Sequence, residues 1–96
     1  MFEWDEAKNA QNRAKHGVAF EEATTIFDGL VLTREDDRRD YGETRWLSMG
    51  LLAGEMVIVV AHTKRHGRIR IISARPASRT ERKIYDAALK ETGEPT

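Results

Sequence analysis

The chain has no cysteine, which excludes both a disulfide framework and a cysteine-based metal site. It has no long apolar run. The longest, Met56 to Ala61, is far too short to span a bilayer. The N-terminus is charged by residue 3, unlike a signal peptide. A soluble cytoplasmic protein with no membrane partner is therefore expected. Net charge is also missing, since 16 basic residues balance 16 acidic ones. Total charge thus gives no hint of a nucleic-acid binder. No internal repeat or low-complexity segment is present.

What the chain does have is an uneven distribution of that charge. Residues 1–42 carry ten acids against six bases, whereas residues 43–83 carry nine bases against three acids. A local cationic field concentrates an anionic ligand whatever the total charge. The basic half culminates in Arg68 to Lys83, R-I-R-I-I-S-A-R-P-A-S-R-T-E-R-K. A β-rich run with Arg68, Arg70 and Arg75 passes through Pro76 into a helix with Arg79, Arg82 and Lys83 in its first turns. A guanidinium is always charged and its planar fork matches a phosphate. The segment points to a polyanion, RNA above all. The bland alternative is that these side chains only solubilise strand faces.

At 96 residues and 40% hydrophobic, one domain with a small core is expected, over 1–92, with 93–96 as a frayed tail. Phe2-Glu3-Trp4 alternates as a short strand does. Asp5 is placed to cap a helix ending near His16, with Gly17 as its left-handed stop. On that helix Lys8, Asn12, Lys15 and His16 share a polar face, and Ala7, Ala10 and Ala14 form the small apolar side. Val18 to Asp28 reads as a second helix with Phe20, Ala23, Thr24 and Phe27 inward and Ile26 alongside. Leu30 to Leu32 begins a strand. Glu35 to Tyr41 reads as a mobile, solvated loop.

Three strands follow. In Thr44 to Leu52, Leu47, Met49 and Leu51 share a face. Ala53-Gly54 makes a hairpin turn into a central strand from Met56 to Ala61. His66-Gly67 turns into Arg68 to Ala74, where Ile69 and Ile71 face one side and Arg68, Arg70, Ile72 and Ala74 the other. Ser78 and Glu81 form a capping box for a last helix, with Ile84, Tyr85, Ala88 and Leu89 toward the sheet. The order is β-α-α-β-β-β-β-α, an α+β fold built on an antiparallel meander.

Four segments are specific enough to compare with a family. W-D-E-A-K-N at 4–9, N-R-A-K-H-G-V-A-F-E-E-A at 12–23, G-E-T-R at 42–45 and R-I-I-S-A-R-P-A-S-R-T-E-R at 70–82 closely resemble the BrnT toxins of type II toxin-antitoxin systems. The resemblance spans nearly the whole domain. It implies a RelE-like fold and a ribonuclease that arrests translation. It also implies a BrnA-like ribbon–helix–helix antitoxin, in a 2:2 complex that binds operator DNA. Two positions depart from the family pattern. Ala19 stands where a capping side chain is usual, and Lys64 where many relatives carry Glu.

Metal-free RNA cleavage needs a base for the ribose 2′-OH, cations for the phosphate charge and an acid for the leaving 5′-oxygen. His62 and His66 are four apart, but on a strand and turn, which is not a zinc pattern. His62, His66 and His16 are the candidate proton carriers, since a free imidazole titrates near neutrality. His66 otherwise reads as a turn residue, and His16 as a complement to its helix dipole. Glu43 is the carboxylate best placed by motif to act as base or to orient an arginine. Arg65, Arg75 and Arg79 are the first candidates for the phosphate, expected to converge on one pocket. Arg75 could instead pair with Glu81 or Glu43 and staple helix to sheet. Lys8, Lys15, His16, Arg45, Arg68 and Arg70 are candidate RNA contacts. Trp46 or Tyr41 is the aromatic candidate for base stacking.

The expected activity is metal-independent endoribonuclease action without a cofactor. The rival is a non-catalytic basic domain that binds an antitoxin or RNA. A DNA-binding regulator fits less well, because no helix-turn-helix carries a clustered basic face.

Overall fold

The structure, a computed structural model, describes residues 1–92; the tail expected to fray lies outside the described residues. The first helix begins and ends where local chemistry says it should. β1 (Phe2–Glu3) leads into α1 (Glu6–His16), whose first N–H groups, those of Ala7 and Lys8, donate to the Asp5 carboxylate at 2.8 and 3.3 Å. Gly17 closes it at φ 75°, a conformation that costs glycine little. α2 (Phe20–Ala23) follows, then a 3₁₀ turn (Thr24–Asp28), β2 (Val31–Glu35), β3 (Trp46–Leu52), β4 (Met56–Arg65), β5 (Arg68–Pro76) and α3 (Arg79–Thr92). This is the α+β order read from the sequence.

The strands form one sheet in the order β1-β5-β4-β3-β2, antiparallel except for β1 against β5. β4, apolar on both faces, sits in the middle. α1 and α2 cover one face, where Val18, Phe20, Ala23, Ile26, Ile58, Val60, Ile71 and Ala74 make the core. Glycine at 50 lets the 3₁₀ turn approach, because a Cβ there would stand 2.7 Å from Ile26.

β4 runs on to Arg65, four residues past the expected Ala61, because it stays paired with β5 up to the hairpin turn. Four further details differ from the sequence reading. The first is that α1 is inverted. Ala7, Ala10 and Ala14 are exposed, while Asn9 and Asn12 are buried. The Asn12 amide donates to Val18 O and Ala74 O at 2.8 Å and accepts from Ala74 N at 3.1 Å. Asn9 accepts from Phe20 N at 2.8 Å and donates to Glu21. Helix and core thus meet through satisfied amides, which burial permits. Asn9 also supplies the cap that Ala19 lacks, and Glu22 accepts from Ala19 N at 2.9 Å.

The second is the helix expected over 18–28, which tightens into 3₁₀ after Ala23. Thr24 and Thr25 bond back to the carbonyls of Glu21 and Glu22. A period of three then replaces 3.6, so Phe20, Ala23 and Ile26 point inward and Thr24 and Phe27 only partly. The third is a β-bulge. Ala61 pairs with Ser73 but His62 with Ile71, leaving Ile72 as the extra residue. The bulge moves Ala74 to the Ile71 side, opposite to strict alternation.

The fourth is α3, which stands over the other sheet face. Only Tyr85 of its expected stripe is deeply buried, donating to Leu30 O at 2.9 Å. Ile84 is 54% and Leu89 39% exposed. The helix is held instead by polar anchors at its start. Ser78 and Glu81 form the capping box, and Arg75 pairs with Glu81 through two bonds of 2.8 and 3.0 Å. An apolar groove lined by Leu32, Leu47, Met49, Val59 and Ile84 remains open between helix and sheet.

Two outcomes follow from this packing. Asn12→Ala leaves buried partners unpaired and should cost about 2–4 kcal/mol, read as a lower urea midpoint. Ala10→Gln on the exposed side should stay within about 0.5 kcal/mol. Arg75 above all holds the Glu81 carboxyl down at about 2, against an ordinary 4.5. A depressed carboxyl stabilises the fold above its unfolded value and loses that contribution as pH falls through the folded one. The stability gap between the parent chain and Glu81→Gln should therefore shrink as pH falls from 4.5 toward 2. A gap independent of pH would dismiss the ion pair as the anchor.

Candidate active site

The β4–β5 hairpin sets the geometry. Its two-residue turn, His66-Gly67, has positive φ at both positions, 52° and 77°, matching the twist of the flanking strands. Arg65 therefore faces Arg68, and Thr63 faces Arg70. β1 runs alongside, and its Glu3 accepts from Arg70 at 3.0 Å. The segment entering β3 is pinned to this hairpin by Thr63, whose hydroxyl donates to Thr44 O at 2.7 Å. That bond brings Glu43 and Arg45 over the end of the sheet.

There the Glu43 carboxylate accepts from Arg65 at 3.1 Å and from Arg45 at 3.3 Å. The cleft around it is lined by Lys8, Arg45, Arg65 and Arg70, with Asp5 at its rim and Ile71 and Ile72 below. Its volume is about 190 Å³. Arg65 first, and Arg45 after it, hold the Glu43 carboxyl below its ordinary value, outweighing burial. At neutral pH the group is therefore an ionised acceptor among four cations. Lys8 and Ile72 also line a second, shallower cleft, together with Lys15, His16 and Ser73. The two clefts share a wall, so the basic side chains of α1 lead toward Glu43.

Most of the candidate residues gather here. Glu43, Arg65, Lys8, Arg45 and Arg70 share the main cleft, and Lys15 and His16 the adjoining one. Arg68 is exposed beside the hairpin turn. The convergence expected of Arg65, Arg75 and Arg79 is not found. Arg75 pairs across to Val59, six residues along β4 from Arg65, which separates their backbones by about 20 Å. Its guanidinium is taken by Glu81 in the staple described above. Arg79 is exposed on the first turn of α3, beyond that staple.

His62 also falls outside the cleft. It is 8% exposed, on the core-facing side of β4. Its ring stands edge-on to Phe27 at 5.3 Å and stacks beside Trp46 at 6.2 Å. Its Nε2 shares a 2.7 Å hydrogen bond with Ser48, which is bonded in turn to Thr33. Burial pushes its pKa down, so it stays neutral. This arrangement braces the sheet. Trp46 is half-buried against it, and the histidine in the turn, His66, is exposed.

In the loop after β2, residues 37–40 are exposed as expected, and one residue departs from that reading. Asp36 is 4% exposed rather than solvated. Its carboxylate accepts from Arg38 at 2.7 and 2.9 Å and from the Tyr41 hydroxyl at 3.0 Å, and its pKa is driven well below the usual carboxylate range, by Arg38 above all. The Tyr41 ring is covered by Arg45, whose guanidinium lies 4.1 Å from its centre. The only hint in the sequence was Asp36 two residues before an arginine, the spacing of a local side-chain turn.

The chain is similar to known proteins in sequence and in fold. Residues 4–81 match the family described as ribonuclease toxin, BrnT, of type II toxin-antitoxin system. The fold is similar to the 1.1 Å crystal structure of the Brucella abortus ribonuclease toxin BrnT, with a TM-score of 0.62 and 28% identity. That match covers 82% of this chain and 99% of the other. Among curated proteins none matches. With the family match running from β1's end to the capping box of α3, the chain belongs to the BrnT family of ribonuclease toxins of type II toxin-antitoxin systems.

Proposed function

We propose that the chain is a metal-independent endoribonuclease whose cleavage centre is the Glu43 cleft. The observation that carries this is an ionised carboxylate held between Arg65 and Arg45, with Arg70 and Lys8 beside it, in a cleft open to solvent. In this reading Glu43 takes the proton from the ribose 2′-OH. The resulting alkoxide attacks the adjacent phosphorus, a 2′,3′-cyclic phosphate forms and the 5′-oxygen leaves, taking its proton from water in the open cleft. Arg65 and Arg45 stabilise the charge that builds on the phosphate oxygens, because they already point at the place where it appears. Arg70 and Lys8 hold the flanking phosphates, and Lys15 and His16 extend the track along α1. We assign no acid from the histidines: His62 is buried and bonded to Ser48, and His16 lies in the second cleft. Arg75 becomes a support of α3 rather than a cleavage residue, and Arg79 lies outside the cleft.

The rest of the functional reading comes with the family. Cleavage arrests translation in the cytoplasm. A BrnA-like ribbon–helix–helix antitoxin neutralises the toxin in a 2:2 complex that also binds operator DNA. The fold is of the RelE-like kind, which the meander flanked by helices supports.

Incubation of the purified chain with single-stranded RNA tests the centre. Cleavage should persist in EDTA and leave cyclic phosphate ends. Glu43→Gln should lower the rate about 10²–10⁴-fold, the usual contribution of a positioned base. Because Glu43 is depressed and works when deprotonated, activity should hold until the pH falls below the ordinary carboxylate value of 4.5. Full activity in Glu43→Gln, or loss in EDTA, would refute the assignment.

A further inference from the structure

The proposal rests on the cleavage reading of the Glu43 cleft and asks what keeps that cleft in order. Arg45 precedes β3, and Glu43 lies beyond any strand. Neither is fixed by the sheet ladder alone. Two contacts from the Asp36–Tyr41 loop supply what is missing. The Asp36 N–H donates to Arg45 O at 2.8 Å, extending the β2–β3 ladder by one rung. The Asp36 carboxylate accepts from Tyr41 Oη at 3.0 Å, and the Tyr41 ring stands beneath the Arg45 guanidinium at 4.1 Å. Arg45 is thereby held at both its backbone and its side chain by one buried acid.

We propose that Asp36 and Tyr41 are positioning residues for cleavage: the buried carboxylate fixes the tyrosine, the tyrosine ring fixes Arg45, and Arg45 together with Arg65 fixes Glu43. The burial of Asp36 is the observation that separates this from a merely solvated loop. Its neighbours Asp37, Arg38, Arg39 and Asp40 are all exposed, yet Asp36 is turned inward and bonded on both carboxylate oxygens. A charge is placed there only at a desolvation cost that its partners must offset. Arg38 serves as that counter-ion by donating to both oxygens, and Oδ2 accepts from the tyrosine as well. One face of the Tyr41 ring is thus covered by Arg45, and Arg39 stands 5.9 Å from its centre.

The test uses the full chain, a fluorogenic single-stranded RNA oligonucleotide and three variants. Tyr41→Leu removes the ring and its hydroxyl from a half-exposed position. It should lower kcat about ten- to a hundredfold, the loss typical of a small misplacement, with KM little changed because Lys8 and Lys15 are untouched. Its acid limb should move to higher pH, since Arg45 no longer favours the charged form of Glu43. The groups that remain around Glu43 are Arg65 and Arg70 from the hairpin, Asp5 and Lys8 from the start of α1, Glu35 from the end of β2, and Asp36, Asp37, Arg39 and Asp40 from the loop. All are common to parent and variant.

Tyr41→Phe keeps the ring under Arg45 and should retain the parental acid limb with a smaller loss of kcat. The Arg45 Nε–H proton signal should carry a ring-current shift that persists in Tyr41→Phe and collapses in Tyr41→Leu. Parental kcat and acid limb in Tyr41→Leu would overturn the proposal, as would an Arg45 signal that does not move. Glu43→Gln run alongside separates the two failures. If it cleaves at the parental rate, the cleavage centre itself is wrong; if it is inactive while Tyr41→Leu is normal, only the positioning role is.

Discussion

One side-chain amide organises the working end of the molecule. β1 covers the outer edge of β5 only at Ile69 and Arg70. Beyond the bulge at Ile72 that edge would be bare. Asn12 fills the gap by bonding both the N–H and the C=O of Ala74, as a neighbouring strand would, while its second amide proton goes to Val18 O. Three segments distant in sequence meet at this point: α1, the entry to α2 and the last strand. An unpaired backbone group is expensive inside a protein, so the contact has few alternatives. Because α1 is seated this way, Lys8, Lys15 and His16 lie along the bulged strand and approach the Glu43 cleft.

The cleft itself is an arrangement of partly exposed ions rather than a buried pair. Glu43 and Arg65 keep contact with water, and exposed ion pairs contribute little to stability. Their value is geometric. A carboxylate between two guanidiniums is held ionised and oriented, and the same guanidiniums remain able to receive a phosphate. Arg75 and Glu81 show the opposite use of the same chemistry. There a bidentate pair, reinforced by the capping box, fastens a helix whose one deeply buried anchor among the described residues is Tyr85.

The two faces of the sheet are finished differently. The face under α1 and α2 is packed, with Phe20, Ile26, Ile58 and Val60 almost wholly shielded. The face under α3 keeps a groove in which Ile84 stands across from Leu47, Met49 and Val59. Amphipathic spacing alone would have seated Ile84 and Leu89 against the sheet. The helix is instead positioned from its N-terminal end, where Ser78, Glu81 and Arg75 fix both its start and its direction, and of its apolar stripe Tyr85 is buried and Ala88 half-buried.

The sequence by itself determined the element order, the caps of α1 and α3, the central place of β4 and the concentration of arginine around the last hairpin. These depend on neighbours along the chain: Asp5 and Gly17 at helix ends, the Ser78–Glu81 spacing, His66-Gly67 in a tight turn. Only the tertiary structure decided which arginines act together. Arg65 and Arg75 belong to the same cationic stretch of sequence, but strand length keeps them apart, whereas Glu43 reaches Arg65 across 22 residues because Thr63 ties Thr44 to β4. The inward turn of Asp36 and the inversion of α1 were likewise invisible in periodicity. A buried polar group is tolerated only when partners from elsewhere satisfy it, and those partners exist only once the chain has folded.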